Sequence, residues 1–321
     1  APGCIPGLSC WKCVRLPVNW GQYLGRCHVS TNNTPLSNQI ERNMRDLAML
    51  ERATFPRPQH TRIIAVANQK GGVGKTTSAV NLAAGLAMGG LSVLVVDADA
   101  QGNASSALGV PHPAGTPSTY DVIIGGASVA DVVQPCPDID GIVVCPATID
   151  LSGAEIELVD VERREYRLRE ALREYVSEHA DIDIVLIDCP PSLGLVTLNV
   201  MVAADEVMIP IQAEYYALEG LSQLWNTVER IGVDLNPGLR VSGMLLTMAD
   251  KRTKLSEEVE SEVRSHFPSH TFETVIPRSV RISEAPSYGQ TVVTYDPRNV
   301  GAIAYRKAAL ELCQRVAASE G

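Results

Sequence analysis

One octapeptide constrains the fold of this chain more than any other feature: Lys70-Gly71-Gly72-Val73-Gly74-Lys75-Thr76-Thr77. It follows the apolar run 63–67 and leads into residues 76–88, which are rich in Ala and Leu. The order is therefore strand, glycine-rich loop, helix. Backbone N–H groups in such a loop point inward, and the helix N-terminus adds positive potential. The octapeptide therefore predicts a phosphate-binding loop.

The composition of this loop departs from the usual pattern. G-x-x-x-x-G-K-[ST] would have glycine at position 69, where this chain has Gln69. A second lysine, Lys70, opens the loop instead. Lys75 is expected to reach the β- and γ-phosphates, and the Thr76 hydroxyl can ligate Mg²⁺. Gly-Lys-Thr alone is common by chance, but the whole octapeptide between a strand and a helix is not.

Acidic residues follow two of the predicted strands. The apolar run 93–96 leads into Asp97-Ala98-Asp99, and the run 182–187 leads into Asp188. Open α/β sheets bind ligands at the carboxyl ends of their strands. A single Asp there is more often a cap or turn residue. With a phosphate loop upstream, we predict functional roles for Asp99 and Asp188, the latter holding Mg²⁺ directly or through water.

Apolar strands alternate with helices from residue 62 to the end of the chain. Strands are expected at 142–145, 207–211, 241–247 and 271–276, and helices at 165–179, 193–203, 218–231, 255–267 and 300–317. This alternation predicts an α/β domain over 62–321, a doubly wound, mostly parallel sheet with helices on both faces. No apolar run reaches the roughly 18–20 residues of a membrane span.

The residues before this domain fall into two parts. Residues 1–35 have no periodic pattern and are expected to be a disordered extension; translation from Val29 or Met44 is one hypothesis for it. Residues 36–61 are predicted to form an amphipathic helix, with Ser37 as N-cap, and a linker. The apolar positions of this helix are Leu36, Ile40, Met44, Leu47 and Leu50. Docking on the main domain is preferred over contact with a partner.

The eight cysteines indicate a reducing environment. Cys10 and Cys13 form a C-x-x-C, and Cys27-His28 follows. A zinc site there is only a minor alternative, because a second C-x-x-C is lacking. The cysteines of the main domain are isolated in sequence, and no secretory signal is present. A cytoplasmic location is therefore predicted.

The net charge of −10 argues at first against nucleic-acid binding. The acidic residues are concentrated in the middle of the chain, however, since residues 70–239 have a net charge of −16. Residues 240–321 carry 11 basic and 10 acidic side chains. Local positive patches therefore remain possible at the C-terminal end.

Several motifs together resemble those of one ATPase family. Residues 70–77 resemble the deviant Walker A motif of the ParA/MinD group, residues 97–103 its second acidic motif, and residues 187–194 its Walker B segment. Segments 212–220, 246–248 and 276–286 resemble the chromosomal ParA (Soj) branch. The resemblance covers about 62–317. Ala100 departs from the proline usual in that branch, and residues 1–60 have no counterpart in the short chromosomal forms.

The resemblance implies ATP and Mg²⁺ as cofactors and a homodimer in the ATP state. Lys70 would cross to the partner subunit's nucleotide, and Lys75 would serve its own. Asp99 would orient the attacking water, while Thr76 and Asp188 would hold Mg²⁺. The remaining nucleotide-binding residues implied by the family are Gly71, Gly72, Val73, Gly74 and Thr77 in the loop, with Pro277 and Ser279 along the adenine.

The same family implies a function in chromosome segregation. The ATP dimer would bind DNA without sequence preference, and Arg252 and Arg281 match positions associated with this binding. A ParB-type protein would stimulate an otherwise slow hydrolysis, and the protein would associate with the nucleoid rather than a membrane.

Three alternatives are weaker. A MinD-like membrane switch would need a bulky apolar, basic C-terminal helix, but residues 300–321 are mostly Ala and end acidic. An iron–sulfur reductase would need paired cysteines, and only Cys189 lies near the Walker B segment. A binding module without hydrolysis is disfavoured because Lys75, Thr76, Asp99 and Asp188 are all present.

Overall fold

The computed structural model describes residues 34–214, 217–250 and 252–317. The extension predicted for residues 1–35 lies almost entirely outside the described residues, as does the alternative zinc site at Cys10 and Cys13. The chain divides into two compact units, residues 1–41 and 42–321.

In the first unit, the described residues belong to the start of helix α1 (Pro35–Arg52). The prediction that Ser37 is its N-cap was wrong. Pro35 is the first helical residue, and the Thr34 hydroxyl oxygen accepts a hydrogen bond from the backbone N–H of Ser37 at 3.2 Å. Proline is favoured at the first helical position because it has no N–H to leave unpaired.

The main unit is built around one sheet. Its strands are β1 (Arg62–Val66), β2 (Val93–Asp97), β3 (Gln134–Pro135), β4 (Ile142–Cys145), β5 (Ile184–Asp188), β6 (Glu206–Gln212) and β7 (Arg240–Thr247). Within the described residues, these seven strands lie in the order β3–β4–β2–β5–β1–β6–β7. All neighbours run parallel except β3 and β4. The prediction of a doubly wound, mostly parallel sheet is confirmed.

Helices connect the strands and cover both faces of the sheet. They are α2 (Lys75–Met88), α3 (Asn103–Ala107), α4 (Val129–Val132), α5 (Ala154–Glu157), α6 (Arg167–Glu178), α7 (Leu195–Ala203), α8 (Ala217–Asp234), α9 (Lys254–His266), α10 (Val280–Glu284), α11 (Val292–Tyr295) and α12 (Val300–Ala317). A π-helical turn covers Asp121–Gly125, and 3₁₀ turns cover Ile149–Gly153, Leu158–Asp160 and Ala285–Tyr288.

The sheet separates two apolar cores. Successive strand residues point to opposite faces, so Ile63 and Ala65 of β1 enter one core while Ile64 and Val66 enter the other. Helices α6 to α9 cover the first core, and α2 and α12 cover the second. Because both faces are covered, the strands read as continuous apolar runs in the sequence.

Within the second unit, the C-terminal part of α1 packs on the domain. Leu50 is 2% exposed, Phe55 is also buried, and both join the core beneath α2. The Asp46 carboxylate pairs with Lys307 Nζ of α12 at 2.6 Å. Met44 remains 66% exposed. Leu50 and Phe55, which the sequence analysis assigned to the helix and linker at 36–61, therefore belong to the main core.

The strand predicted at 271–276 was wrong. The segment follows the edge of β7 but makes only isolated bridges, such as Met244 with Thr271. Between the bridges, the backbone N–H groups of Glu273 and Thr274 donate to the two carboxylate oxygens of Glu311, at 2.7 and 2.9 Å. The N–H of Thr274, which would continue the ladder after Phe272, is therefore bound by a side chain of α12, and the N–H of Ile276 donates to the Leu246 carbonyl oxygen instead.

The final helix lies against the helix that follows the phosphate loop. A Cβ atom added to Gly85 of α2 would lie 2.8 Å from the Ala309 Cβ of α12, so only glycine permits this approach. Tyr305 and Leu312 of α12 are buried in the same contact region. None of the described helices is both long enough and apolar enough to cross a membrane.

Candidate nucleotide-binding site

The predicted site residues gather at the carboxyl edge of three adjacent strands. The phosphate loop follows β1, Asp99 follows β2, and Asp188 ends β5, which lies between the other two. Val66 pairs with Asp188, and Asp97 pairs with Asp188 from the opposite side. The parallel register therefore brings together residues that are up to about 120 positions apart in sequence.

The loop itself has the conformation that its glycines were expected to provide. Gly72 and Gly74 have φ values of 74° and 87°, a region that side chains with a Cβ rarely adopt. Gly74 is the N-cap of α2, and Gly71 and Gly72 face open space. Val73 is buried, and its carbonyl oxygen accepts a hydrogen bond from Thr247 Oγ1 at 2.8 Å. The end of β7 thus holds the loop while its outer side stays open.

The two lysines of the loop have different environments. Lys75 is 7% exposed, and its Nζ donates to the Lys70 carbonyl oxygen at 3.3 Å. Burial lowers the pKa of Lys75, and the Asp188 carboxylate opposes this shift. Lys70 is more exposed, and its Nζ donates to Glu214 Oε2 at 3.1 Å. Lys75 therefore faces inward to the loop, whereas Lys70 is held by a carboxylate at the end of β6.

Asp188 is buried, with the Thr76 hydroxyl and the Lys75 cation in its surroundings. Neither of its carboxylate oxygens accepts a hydrogen bond of normal geometry within the part of the chain that the structure describes. Burial raises the pKa of Asp188 well above its usual range, and the nearby Asp97 raises it further, while the Thr76 hydroxyl and the Lys75 cation lower it. An oxygen pair beside a threonine hydroxyl is a donor set that suits Mg²⁺. The residues present thus fit a divalent cation.

Asp99 sits on a turn that Asp97 holds in place. The backbone N–H of Asp99 donates to Asp97 Oδ1 at 3.2 Å, and Ser105 donates to Asp97 Oδ2 through its N–H and its Oγ at 2.8 and 2.7 Å. Asp99 is half-buried and lies near enough to Lys75 and Asp188 to affect the pKa of both. Sequence reasoning noted Asp97 but gave it no role; its position two residues before Asp99 was the available signal.

Glu214 is the residue that sequence reasoning missed as a contact of the loop. It follows β6, and Gln212 Nε2 donates to its Oε1 at 2.6 Å. The signal that could have found it is the one used for Asp99 and Asp188, an acidic side chain just beyond a strand's carboxyl end.

Pro277 and Ser279, the residues predicted to line the adenine, lie beside the segment that follows β7. Pro277 forms an isolated bridge with Ala249, two positions after Thr247 at the end of β7. Ser279 Oγ donates to Asn299 Oδ1 at 3.0 Å. Thr76 and Thr77 occupy the first turn of α2 and are half-buried. The end of β7 thus lies between the phosphate loop and the predicted adenine segment.

The two predicted DNA-binding arginines lie outside the nucleotide site, and both are paired with carboxylates. Arg252 is 88% exposed and binds Asp250 through two nitrogens. Arg281 donates to Glu284 and lies over the Tyr295 ring, with 5.9 Å between its Cζ and the ring centroid. Their exposure permits contact with a ligand, but their charges are already balanced.

Cys189, on which the iron–sulfur alternative would depend, is buried next to Asp188. Burial raises the pKa of its thiol, as does the adjacent Asp188 carboxylate. Among the described residues there is no cluster of His, Cys, Asp and Glu side chains with the composition and spacing of a metal centre.

Comparisons with known proteins agree with this geometry. A family model described as an AAA domain matches residues 61–241. The chromosome partitioning protein ParA of Caulobacter vibrioides is 50% identical over 254 residues, covering 79% of this chain and 94% of that protein. The sporulation initiation inhibitor protein Soj of Bacillus subtilis is 50% identical over 258 residues, covering 80% and 99%. The structure of cobyrinic acid a,c-diamide synthase from Mycobacterium smegmatis with bound ADP and magnesium matches with a TM-score of 0.65 and 37% identity, covering 78% of this chain and 92% of that one.

Proposed function

Because this chain belongs to the ParA/Soj family of chromosome-partitioning ATPases, we propose that it is an ATP-switched, DNA-binding protein that moves replicated chromosome origins apart. The observation that carries the proposal is the buried carboxylate of Asp188, without a hydrogen bond of normal geometry among the described residues, beside an open glycine loop. A nucleoside triphosphate would place its phosphates on the open loop, and its bound cation would neutralise the Asp188 carboxylate.

ATP and Mg²⁺ are the cofactors of this ATPase. Bound Mg²⁺ neutralises charge on the phosphates and polarises them for attack. In the proposed assignment, the backbone of Gly71–Gly74 cradles the phosphates, while Lys75 and Thr77 contact them. Thr76 and Asp188 hold the cation, and Pro277 and Ser279 line the adenine. The open side of the loop and the inward position of Lys75 support this assignment.

Hydrolysis is proposed to depend on Asp99. Its half-buried carboxylate lies near Lys75 and Asp188, where it can orient a water for attack on the γ-phosphate. An Asp99→Ala variant should bind ATP with the wild-type affinity but lose at least about 100-fold in the rate of hydrolysis. Single-turnover phosphate release measures this directly, and a variant that hydrolyses at the wild-type rate would remove Asp99 from the role.

The ATP state is proposed to be a homodimer in which Lys70 reaches the partner subunit's nucleotide. In the structure, the Lys70 ammonium pairs with Glu214, and 39% of its side chain is exposed. A cation that has only one exposed carboxylate as a partner is free to exchange it for phosphate at little cost. ATP would then act as the link between two subunits.

The dimer is proposed to bind DNA without sequence preference and to be released when a ParB-type partner stimulates hydrolysis. Arg252 and Arg281 would contact phosphates, and the protein would be cytoplasmic and associated with the nucleoid. The net charge of residues 240–321 supports this location for the DNA-binding surface, because it is close to zero while the preceding 170 residues carry −16. A dimer would present two copies of this surface, so the number of phosphate contacts to one duplex would double.

Retention of random-sequence duplex DNA tests the proposal most directly. Binding is measured with ATP, with ADP and without nucleotide, over a series of salt concentrations. We expect tight binding with ATP alone and a steep loss with salt, because each phosphate contact adds about 0.9 to the slope of log K against log salt. Equal binding in all three nucleotide states would contradict it and favour another cargo.

A MinD-like or other cargo-positioning ATPase is the alternative within the same superfamily. The membrane version would need apolar residues of the last helix to be accessible. Instead, Ile303, Tyr305 and Leu312 of α12 are buried in the core beneath α2. This packing favours the DNA-binding proposal over the membrane-binding one.

A further inference from the structure

Both arginines of the proposed DNA surface are held by carboxylates of their own chain. Arg252 Nε and Nη2 donate to Asp250 Oδ1 and Oδ2 at 2.9 and 2.7 Å, a bidentate pair. Arg281 Nη1 donates to Glu284 Oε2 at 2.9 Å, and its Nε lies 3.6 Å from Asp296 Oδ2. We refer to Arg252 and Arg281 as the clamped arginines and to Asp250 and Glu284 as the clamps. A phosphate uses the same guanidinium N–H groups, so it can make its best contact only by displacing a clamp.

Two further arginines of the same region have no such partner. Arg278 and Arg298 are exposed, and neither has a carboxylate within 4.0 Å among the described residues. The charge of Arg278 nevertheless acts on Asp250, whose pKa is lowered mainly by its hydrogen bonds with Arg252 and to a smaller extent by Arg278. We refer to Arg278 and Arg298 as the open arginines.

Backbone and side-chain hydrogen bonds join the segments that carry these residues. The backbone N–H of Arg278 donates to the Ala249 carbonyl oxygen at 3.0 Å, next to Asp250. Ser279 Oγ donates to Asn299 Oδ1 at 3.0 Å, one position after Arg298. The open and clamped arginines therefore belong to one surface, formed by residues 249–250, 252–253, 277–284 and 296–299.

We propose that this surface is a gated binding site for the phosphates of duplex DNA. The open arginines make the first contacts, and the clamped arginines add theirs only when a DNA phosphate displaces the clamps. The inference rests on the proposed function, since it assumes that the ATP dimer binds DNA. It adds the open arginines to the surface and gives the clamps a role in limiting binding by a single subunit.

The exposure of the two arginine–carboxylate pairs is consistent with clamps that DNA can displace. Arg252 and Arg281 are 88% and 51% exposed, and exposed ion pairs contribute little to stability. A single DNA phosphate still has to replace a carboxylate that is always near the guanidinium, because Asp250 is two residues from Arg252 and Glu284 three residues from Arg281. A duplex that is already bound through open arginines of two subunits presents several phosphates at once, so displacement of the clamps then becomes favourable.

The test is equilibrium binding of a random-sequence 24-base-pair duplex to the full chain, with a non-hydrolysable ATP analogue and Mg²⁺. Asp250→Asn and Glu284→Gln remove a clamp and keep its shape. Asp250→Asn should tighten binding by about three- to tenfold, because one clamped arginine per subunit is released. Glu284→Gln should tighten it by less, because Asp296 Oδ2 still lies 3.6 Å from Arg281 Nε. Glu170→Gln is the matched control, because it changes the net charge by the same amount as either clamp variant. Glu170 lies on α6 and pairs with the exposed Arg163, which precedes this helix, at 2.7 Å. The control variant should alter binding by less than about 1.5-fold.

The open arginines are tested by the salt dependence of the same binding. Arg298→Ala should lower the slope of log K against log salt by about 1.8 per dimer, since one phosphate contact is lost per subunit. Arg163→Ala, which removes an exposed arginine from another part of the chain, should leave the slope unchanged. An unchanged slope in Arg298→Ala would remove this residue from the surface and overturn the first step of the gate.

A double variant separates the clamp from simple repulsion of DNA by a negative charge. If Asp250 acts by holding Arg252, the gain of Asp250→Asn disappears when Arg252→Ala is also present. If the gain persists, repulsion alone explains it and the gate is wrong. A second outcome would also overturn the gate but not the proposed function: the wild-type protein binds DNA with ATP, and neither clamp variant binds more tightly. Wild-type protein without nucleotide-dependent DNA binding overturns both.

Discussion

Asp97 and Asp188 end neighbouring strands, and burial raises the pKa of both carboxyl groups. Asp97 has three hydrogen-bond donors, whereas Asp188 has none of normal geometry within the described residues. An unpaired buried carboxylate is expensive to keep charged. The nucleotide-free fold therefore carries an unfavourable residue at the position where a cation is needed.

This predicts a pH-dependent penalty that an Asp188→Asn variant lacks. The folded pKa of Asp188 lies above the ordinary value of 3.8, so its contribution to stability is fully present below that value and is lost as pH rises through the folded pKa. The melting temperature of nucleotide-free wild type should therefore fall relative to Asp188→Asn as pH rises above 3.8, until Asp188 is ionised in the folded state, at roughly 2–4 °C per kcal/mol. Parallel melting curves across this range would contradict the prediction.

Glu214 gives a second prediction at the residue scale. It holds Lys70 within one subunit, so Glu214→Gln should release the lysine for the partner subunit's nucleotide. We expect the ATP-dependent monomer–dimer midpoint to fall to lower protein concentration by up to about fivefold, the range of an exposed ion pair. Glu260→Gln removes a similar partner from Arg264 on α9 and should leave the midpoint unchanged. A shift in both variants, or in neither, would contradict the role of Glu214.

At the scale of elements, two segments owe their conformation to contacts with α12. The carboxylate of Glu311 binds the backbone at 273–274 and prevents a continuous edge strand. Lys307 pairs with Asp46 of α1 at 2.6 Å, and Leu50 enters the core beneath. The last helix therefore contacts both α1 and the segment at 273–274.

The docking of α1 is tested by two substitutions within the same helix. Leu50→Ala should lower the free energy of unfolding by about 2–4 kcal/mol, because a 2% exposed leucine leaves a cavity. Met44→Ala, at a side chain that is 66% exposed, should change it by less than about 0.5 kcal/mol. Urea denaturation measures both. Equal effects would mean that the C-terminal half of α1 does not pack stably on the domain.

At the scale of the whole molecule, the distribution of charge bears on the proposed binding of DNA by a dimer. The chain carries −10 in total, with the excess in residues 70–239. The acidic middle segment of a single subunit therefore repels DNA phosphates. Pairing two surfaces doubles the number of phosphate contacts, and affinity rises steeply with that number.

The dimer itself is tested by sedimentation. Wild-type protein with Mg·ATP should change from monomer to dimer, whereas Lys75→Ala should remain monomeric, because the buried ammonium that faces the loop is lost. Arg45→Ala, at an exposed position of α1, serves as control and should dimerise as wild type does. Identical sedimentation of wild type with and without ATP would contradict the ATP-linked dimer.

Local sequence determined the elements that carry the site. The glycine-rich octapeptide, the apolar strands before it and before Asp99 and Asp188, and the final helix at 300–317 were predicted from spacing and composition, and the structure has them with ends shifted by one or two residues. These features are local because a strand, a loop and a helix N-terminus are set by neighbouring residues. The roles of the individual site residues stay predictions.

Only the tertiary structure decided which charges meet. Glu214 pairs with Lys70, and Glu311 binds the backbone at 273–274. In both cases the partners are distant in sequence and become neighbours through strand order and helix packing. The burial of the Asp188 carboxylate likewise depends on the neighbouring strands. The family resemblance pointed to Arg252 and Arg281 as DNA-binding residues, and this stays a prediction. Their pairs with Asp250 and Glu284 are local, two and three residues apart in sequence. Only the fold brings Asp296 to Arg281 as well, and the state of a charge depends on what lies within a few ångströms of it.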